Sequence, residues 1–192
     1  MDLRFQTIAI KEFEFLMHKY SFKCVQSDSC KIQYESDAVF VTVHFDENRS
    51  YELGCELGRM DDSEGSLECP FDLGEIIRWK ELSQKDIHTA FQVTNIEDLQ
   101  KFCQLLASHL QCYAHELLIG TESAFKTLAD FRDKECVEYA LARDLEIMRD
   151  QLEDIWQTKN YNKVIELLSP LKKHLKHSEI KKLEYALRHE KV

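Results

Sequence analysis

Residues 31–59, KIQYESDAVFVTVHFDENRSYELGCELGR, decide the fold because apolar and polar side chains alternate along three successive segments. The alternation covers residues 31–35, Val39–Phe45 and Tyr51–Leu57. A period of two is typical of a β-strand that buries one face. Turn-forming residues separate the segments, at Ser36-Asp37 and at Glu47-Asn48-Arg49. Together with a shorter candidate strand at Phe22–Gln26, the pattern predicts an antiparallel β-meander of three to four strands.

The alternation also predicts how the strands pair. Core-facing residues must lie opposite core-facing residues, because a slip of one residue would turn a whole strand inside out. The first hairpin is expected to pair Tyr34 with Val39 and Ile32 with Val41. The second is expected to pair Phe45 with Tyr51, Val43 with Leu53 and Val41 with Cys55. On the other face the expected neighbours are His44 and Glu52, Thr42 and Gly54, and Phe40 and Glu56.

Helices are predicted on both sides of the meander. Residues Ile8–Tyr20 carry an apolar stripe of helical period, and after residue 92 the apolar spacing is helical up to a C-terminal helical hairpin. The predicted fold class is therefore α+β, with an N-terminal helix, the β-meander and an all-helical C-terminal half. We expect an α/β-meander portion over residues 1–92 and a helical portion over 93–192, either separate or joined in one continuous domain.

Capping residues mark the ends of these helices. Two N-terminal caps are predicted, Asp72 with Glu75 and Thr94 with Glu97. Phe71 and Ile76 add a hydrophobic staple to the first cap, which opens a helix over Leu73–Leu82. Gly120 is expected to end a helix in the left-handed conformation, and no Gly or Pro interrupts the helix that follows before Lys159.

Charge is distributed unevenly along the chain, whose net charge is −10. Residues 46–75 contain ten acidic and two basic residues, a local net charge of −8, whereas residues 159–192 contain nine basic and four acidic residues, a local net charge of +5. A strongly acidic body repels phosphates, so no nucleic-acid partner is expected for the whole surface. The basic segment either contacts an acidic partner or neutralises the acidic half of the same protein.

The acidic segment predicts a contact surface for a basic protein. Like charges this dense repel one another, and a basic partner relieves the repulsion and gains a faster association rate. Gly54 and Gly58 lie on the polar strand face, where glycine weakens a strand unless another group approaches closely. A solvated face with cross-strand charge pairs is the alternative. The residues predicted to bind the partner are Glu52, Glu56, Asp61, Asp62 and Glu64.

An enzymatic alternative rests on two residues of the same face. His44 opposite Glu52 could act as a general acid–base pair, and these two are the only catalytic candidates. The sequence contains neither a nucleophile elbow nor a phosphate-binding glycine loop, so whether the protein is an enzyme stays open. A structural or adaptor role of the helical half is a third hypothesis.

No metal and no cofactor are expected. His109, Cys112 and His115 are three residues apart on one predicted helix, but successive steps of about 300° rotate the outer two away from each other. The seven cysteines show no zinc-finger spacing and are expected to be free thiols, most of them small core residues. Without a signal-peptide pattern or a membrane-spanning run, we expect a cytoplasmic protein with no membrane contact. The oligomeric state stays open.

Four short stretches of the chain also resemble sequences of small uncharacterised bacterial proteins. They are Tyr34–Val41, Arg49–Gly54, Tyr161–Ile165 and Lys182–Ala186. Some proteins of this kind are similar to toxin-immunity proteins, so the resemblance implies a partner that is a basic toxin, blocked by electrostatic complementarity. No residue role follows from the resemblance.

Overall fold

The computed structural model describes residues 4–60, 69–81 and 89–189. Its elements, in chain order, are α1 (Phe5–Glu12), α2 (Phe15–Tyr20), β1 (Lys23–Ser27), β2 (Lys31–Glu35), β3 (Val39–Phe45), β4 (Glu52–Arg59), β5 (Phe71–Asp72), α3 (Leu73–Lys80), β6 (Phe91–Gln92), α4 (Ile96–Tyr113), α5 (His115–Leu118), α6 (Glu122–Gln157), α7 (Tyr161–Leu168), a 3₁₀ helix (Lys172–His174) and α8 (His177–His189).

The predicted fold class, α+β, is confirmed. A helical N-terminal segment precedes an antiparallel sheet, and the described chain from Ile96 onward is helical. The strand order is β1-β2-β3-β4-β5, and β6 also pairs with β4. The sequence does not predict β5 and β6, because two residues are too few to show a period. Within the described ranges no helix combines the length and the apolar composition needed to cross a bilayer.

The described residues form two compact units, one within residues 1–131 and one within 132–192. The first contains the sheet, α1–α5 and the first part of α6, and the second contains the rest of α6 with α7 and α8. Each unit has its own apolar core. The division expected between residues 92 and 93 follows the change from strands to helices, whereas the compact units divide within α6.

The pairing of the long strands keeps the predicted faces but differs from the predicted register by two residues. Tyr34 lies opposite Val41 rather than Val39, and Phe45 lies opposite Leu53 rather than Tyr51. A shift of two residues leaves the same side chains facing the core, so the alternation permits both pairings. The predicted faces are confirmed within β2–β4, the predicted core position of Tyr51 is wrong, and the predicted register is wrong.

The turn between β3 and β4 selects the observed register. The Asp46 carboxylate accepts hydrogen bonds from the backbone N–H groups of residues 48–50 at 3.1–3.2 Å. The Asp46 N–H donates to the Glu52 carbonyl at 2.9 Å. Tyr51 takes a left-handed conformation with φ 53° and is exposed, so it belongs to the turn and not to β4. The hydrogen bonds of the Asp46 side chain hold a longer loop than the sequence predicts. Each β3 residue therefore pairs with a β4 residue two positions further along the chain than predicted.

The N-terminal helix predicted over Ile8–Tyr20 is broken in two. α1 ends at Glu12 and α2 begins at Phe15, with no Gly or Pro between them. At the break the N–H groups of Leu16 and Met17 donate to carbonyls three residues earlier, a tighter turn than the α-helical one. Both Phe13 and Leu16 are fully buried, so core packing determines the break and the local sequence gives no sign of it.

The helix ends agree with the sequence at some positions and differ at others. The Asp72–Glu75 capping box is confirmed, with both of its hydrogen bonds present. The cap of α4 is Asn95, which accepts from the Asp98 N–H at 2.8 Å, so the predicted Thr94 cap is one residue too early. Gly120 has φ 77°, which confirms its left-handed conformation.

The second unit is held together by an apolar core and one buried ion pair. Its buried apolar residues come from all three helices, and they are Met148, Leu152, Val164, Leu168, Leu183 and Ala186. Glu179 is buried, accepts from Arg149 Nε at 2.8 Å and accepts from the Lys176 N–H at 2.6 Å. The hydrogen bond from Arg149 is the main cause that lowers the pKa of the Glu179 carboxyl, and burial opposes it.

We expect Glu179→Gln to lower the free energy of unfolding by about 1.5–3 kcal/mol near pH 7, because hydrogen bonds to a charged group are lost. The folded-state pKa of Glu179 lies below the unfolded value of about 4.3, so the stabilisation is present above that pH and is lost as the pH falls through the folded pKa. Urea unfolding near pH 7 and near pH 3 measures both effects. Glu184→Gln, an exposed position on the same helix, is the control, and equal losses for the two variants near pH 7 would contradict the expectation.

Candidate functional site

The polar face of the sheet carries a cleft along β4. One edge of β4 pairs with β3, and the other edge pairs with β6 at Glu52-Leu53 and with β5 at Glu56-Leu57. Neither short strand pairs with Gly54 or Cys55, which lie between these two points. The gap opens into a cleft of about 350 Å³, which is lined by His44, Glu52, Gly54, Cys55, Glu56, Asp72, Thr89 and Ala90.

Two cross-strand aromatic residues explain the glycines of β4. His44 pairs with Gly54 and Phe40 pairs with Gly58. A Cβ atom at Gly54 would lie 2.5 Å from His44 Nε2, and one at Gly58 would lie 2.5 Å from Phe40 Cζ. Both glycines are buried, although they belong to the polar face. The close approach that the sequence predicts is therefore made by the protein's own side chains, which cover the glycines as aromatic residues do in other sheets.

His44 and Glu52 do not form the cross-strand pair that the acid–base hypothesis requires. His44 lies opposite Gly54 rather than Glu52, and Glu52 pairs with Gln92 of β6. No hydrogen bond joins His44 to Glu52 or Glu56 in the part of the chain that the structure describes. His44 and Glu52 do lie on the same face and line the same cleft, so the hypothesis stays a prediction without a formed pair.

Two acidic residues occupy opposite positions in the β4–β5 ladder. Glu56 lies opposite Asp72, and like charges in directly opposite positions destabilise a sheet. Asp72 also caps α3 by accepting from the Glu75 N–H at 3.0 Å. Loss of hydration is the main cause that raises the pKa of the Asp72 carboxyl, and the Glu75 charge adds to it, whereas the Glu75 N–H and the Arg78 charge oppose the shift. Glu52 lies on the same face of β4, four residues before Glu56, and also lines the cleft.

The structure brings together some of the predicted contact residues. Glu52 is exposed and Glu56 is half-buried, and both line the cleft. Asp61, Asp62 and Glu64 lie outside the described residues. Asp72 is the residue that the sequence does not assign to the site. Its capping motif is visible in the sequence, but its place beside Glu56 depends on a strand pairing that two residues cannot predict.

Metal-ligating side chains do not gather anywhere in the described ranges: no group of three or more His, Cys, Asp or Glu could hold an ion there. His115 Nδ1 is instead hydrogen-bonded to the Tyr20 hydroxyl at 3.0 Å. Burial lowers the pKa of His109.

All seven cysteines are free thiols, but most are not core residues. Cys55 and Cys103 are buried, as expected for small apolar side chains. The five others are exposed, so the prediction of a mostly buried set is wrong; they are Cys24, Cys30, Cys69, Cys112 and Cys136. For Cys24 the reason is its strand: four of the five residues of β1 are exposed, so alternation there does not separate a buried face from a solvated one.

Comparison with known proteins gives no match. No family model, no curated protein sequence and no solved structure is significantly similar to this chain. The function must therefore be inferred from the residues of the site.

We expect Gly54→Ala to destabilise the protein, although Ala in a strand is normally more stable than Gly by about 0.5–1 kcal/mol. The new methyl group must displace the His44 ring. In the His44→Ala background the space is free, so the same change should stabilise. Urea unfolding of the double-mutant cycle should give a coupling of about 0.5–3 kcal/mol.

Gly58→Ala in the His44→Ala background is the matched control, because its predicted clash is with Phe40. It should show no coupling to His44. Additive effects for Gly54 and His44 would mean that the ring moves away without cost.

Proposed function

We propose that this protein is a non-enzymatic binding module whose acidic cleft contacts basic side chains of a protein partner. The observation that carries the proposal is the position of Glu56 directly opposite Asp72 in a cleft that Glu52 also lines. Like charges held together by the backbone favour a cationic group between them, because such a group removes their repulsion.

The size of the cleft supports a side chain as its ligand. At about 350 Å³ it is near the lower limit of small-molecule pockets, about 300–1,000 Å³. Its lining is mostly polar or charged residues. An arginine or lysine side chain presents several hydrogen-bond donors on a long stem, which suits such a site.

The surrounding charge supports a protein partner rather than an isolated cation. Residues 46–75 carry a net charge of −8 in the sequence, well beyond the three acidic residues that line the cleft. Opposite charge on the partner would speed association and would make the rate depend on salt. A toxin-immunity role fits this arrangement, with a basic toxin as the partner. We place this activity in the cytoplasm, where the exposed free thiols would stay reduced.

The proposal predicts that a fluorescein-labelled oligo-arginine peptide binds the protein and that binding weakens as salt is raised. The triple variant Glu52→Gln, Glu56→Gln and Asp72→Asn should weaken this binding and flatten its salt dependence. Asparagine is as good an N-cap as aspartate, so α3 should remain capped. Fluorescence anisotropy over a salt series measures both effects.

A matched variant separates a local contact from the effect of net charge. Glu97→Gln, Asp130→Asn and Glu146→Gln remove the same number of charges from exposed positions of α4 and α6. Equal weakening by the two triple variants would contradict the cleft as a specific site. Charge reversal at Asp61, Asp62 and Glu64 then tests whether that segment shares the contact, as the sequence predicts.

A further inference from the structure

The described C-terminal residues 159–189 form a basic segment within an acidic protein. They contain eight basic and three acidic residues, a local net charge of +5. One of the three acids, Glu179, is buried in its ion pair with Arg149, so it contributes little negative charge to the surface. The function proposed for the acidic cleft does not involve this basic segment.

Four aromatic side chains cluster in the second unit. Tyr185 contacts Trp156 and Tyr161 edge to face, each with ring centroids 5.6 Å apart. Tyr185 also stacks on His189, with centroids 4.0 Å apart and planes inclined by 12°. Trp156 and Tyr161 are half-buried and pack against the core of the unit. Tyr185 and His189 pack on this cluster from outside the core and stay exposed, Tyr185 by 45%.

Basic residues share one face of α8 with the exposed rings. Lys181, Tyr185 and Arg188 follow the spacing i, i+4, i+7, and His189 comes one residue later; one exposed acidic residue, Glu184, lies beside them. Lys182 lies next to this stripe, with its Nζ 5.4 Å from the centroid of the Trp156 ring. Lys182 is paired with Glu153 at 3.3 Å, whereas no ion pair is found for Lys181 or Arg188 within the described ranges.

We propose that this face of α8 binds single-stranded nucleic acid, with bases stacked on Tyr185 and His189 and phosphates contacting Lys181 and Arg188. Exposed aromatic rings beside unpaired cations are how proteins bind single strands without sequence preference. Aromatic rings also anchor protein interfaces, so an acidic protein as the occupant is an outcome of the test below.

The net charge of the whole chain does not oppose a local site of this kind. The expectation that no nucleic acid binds came from the total of −10, and it applies to the acidic first unit. Screening limits the reach of that charge to about 8–10 Å at physiological salt. The proposal is independent of the acidic cleft, so the failure of either leaves the other standing.

The test is fluorescence anisotropy of the full chain with labelled oligothymidylate and oligouridylate of about 12 nucleotides, a length within known single-strand site sizes. Binding should weaken with salt, with a slope of about −0.7 for each phosphate contacted. Tyr185→Leu should weaken binding about fivefold or more and leave that slope unchanged, because it removes a stacking surface and no charge. Lys181→Gln with Arg188→Gln should instead make the slope shallower by about 1.4.

Three further variants separate the loss of an aromatic ring from the loss of charge. Tyr185→Phe keeps the ring and should retain the affinity, and His189→Ala removes a stacking partner that contributes nothing to the described apolar core. Lys11→Gln with Lys23→Gln removes two charges from exposed positions of the first unit and should have no effect. Circular dichroism confirms folding of each variant. If Tyr185→Leu does not fold, His189→Ala against Tyr185→Phe decides the stacking component.

Two outcomes would overturn the proposal. One is the absence of oligonucleotide binding at about 50 mM salt. The other is equal binding of polyglutamate, weakened by the lysine and arginine changes but unaffected by Tyr185→Leu and His189→Ala. That second result would identify a surface for acidic proteins, to which the aromatic rings do not contribute.

Discussion

The first unit depends on how β3 lies against β4. This pairing buries Val41 and Val43 on one face and places His44 and Phe40 over Gly54 and Gly58 on the other. A glycine is required wherever a ring occupies the space of a Cβ atom, so the two strands are complementary on both faces. Among the described residues, neither β5 nor β6 pairs with Gly54 or Cys55, and the cleft opens there.

The cleft brings acidic residues of β4 close to the start of α3. Glu56 opposite Asp72 is an unfavourable cross-strand pair, yet Asp72 must carry a capping side chain for α3. A carboxylate at this position also interacts favourably with the N-terminus of α3 and with the Arg78 charge, which acts to lower the pKa of Asp72.

The two units divide the charge of the protein between them. The acidic residues of the cleft belong to the first unit, and the basic segment 159–189 belongs to the second. Each surface combines charge with a second feature: a cleft in one case, and exposed aromatic rings in the other. The net charge of the chain reveals neither surface, because exposed charges act mainly within a Debye length.

The sequence by itself determines the α+β class, the face that each residue of β2–β4 presents, the Asp72 cap and the left-handed Gly120, because local periods and caps depend on neighbouring residues. It cannot determine the register, since a shift of two residues preserves every face. Only the tertiary structure decides that His44 lies over Gly54, that Glu56 lies opposite Asp72 and that the N-terminal helix breaks at Phe13. Turn hydrogen bonds, long-range pairing and core packing set these features, and none of these interactions produces a repeating pattern in the sequence.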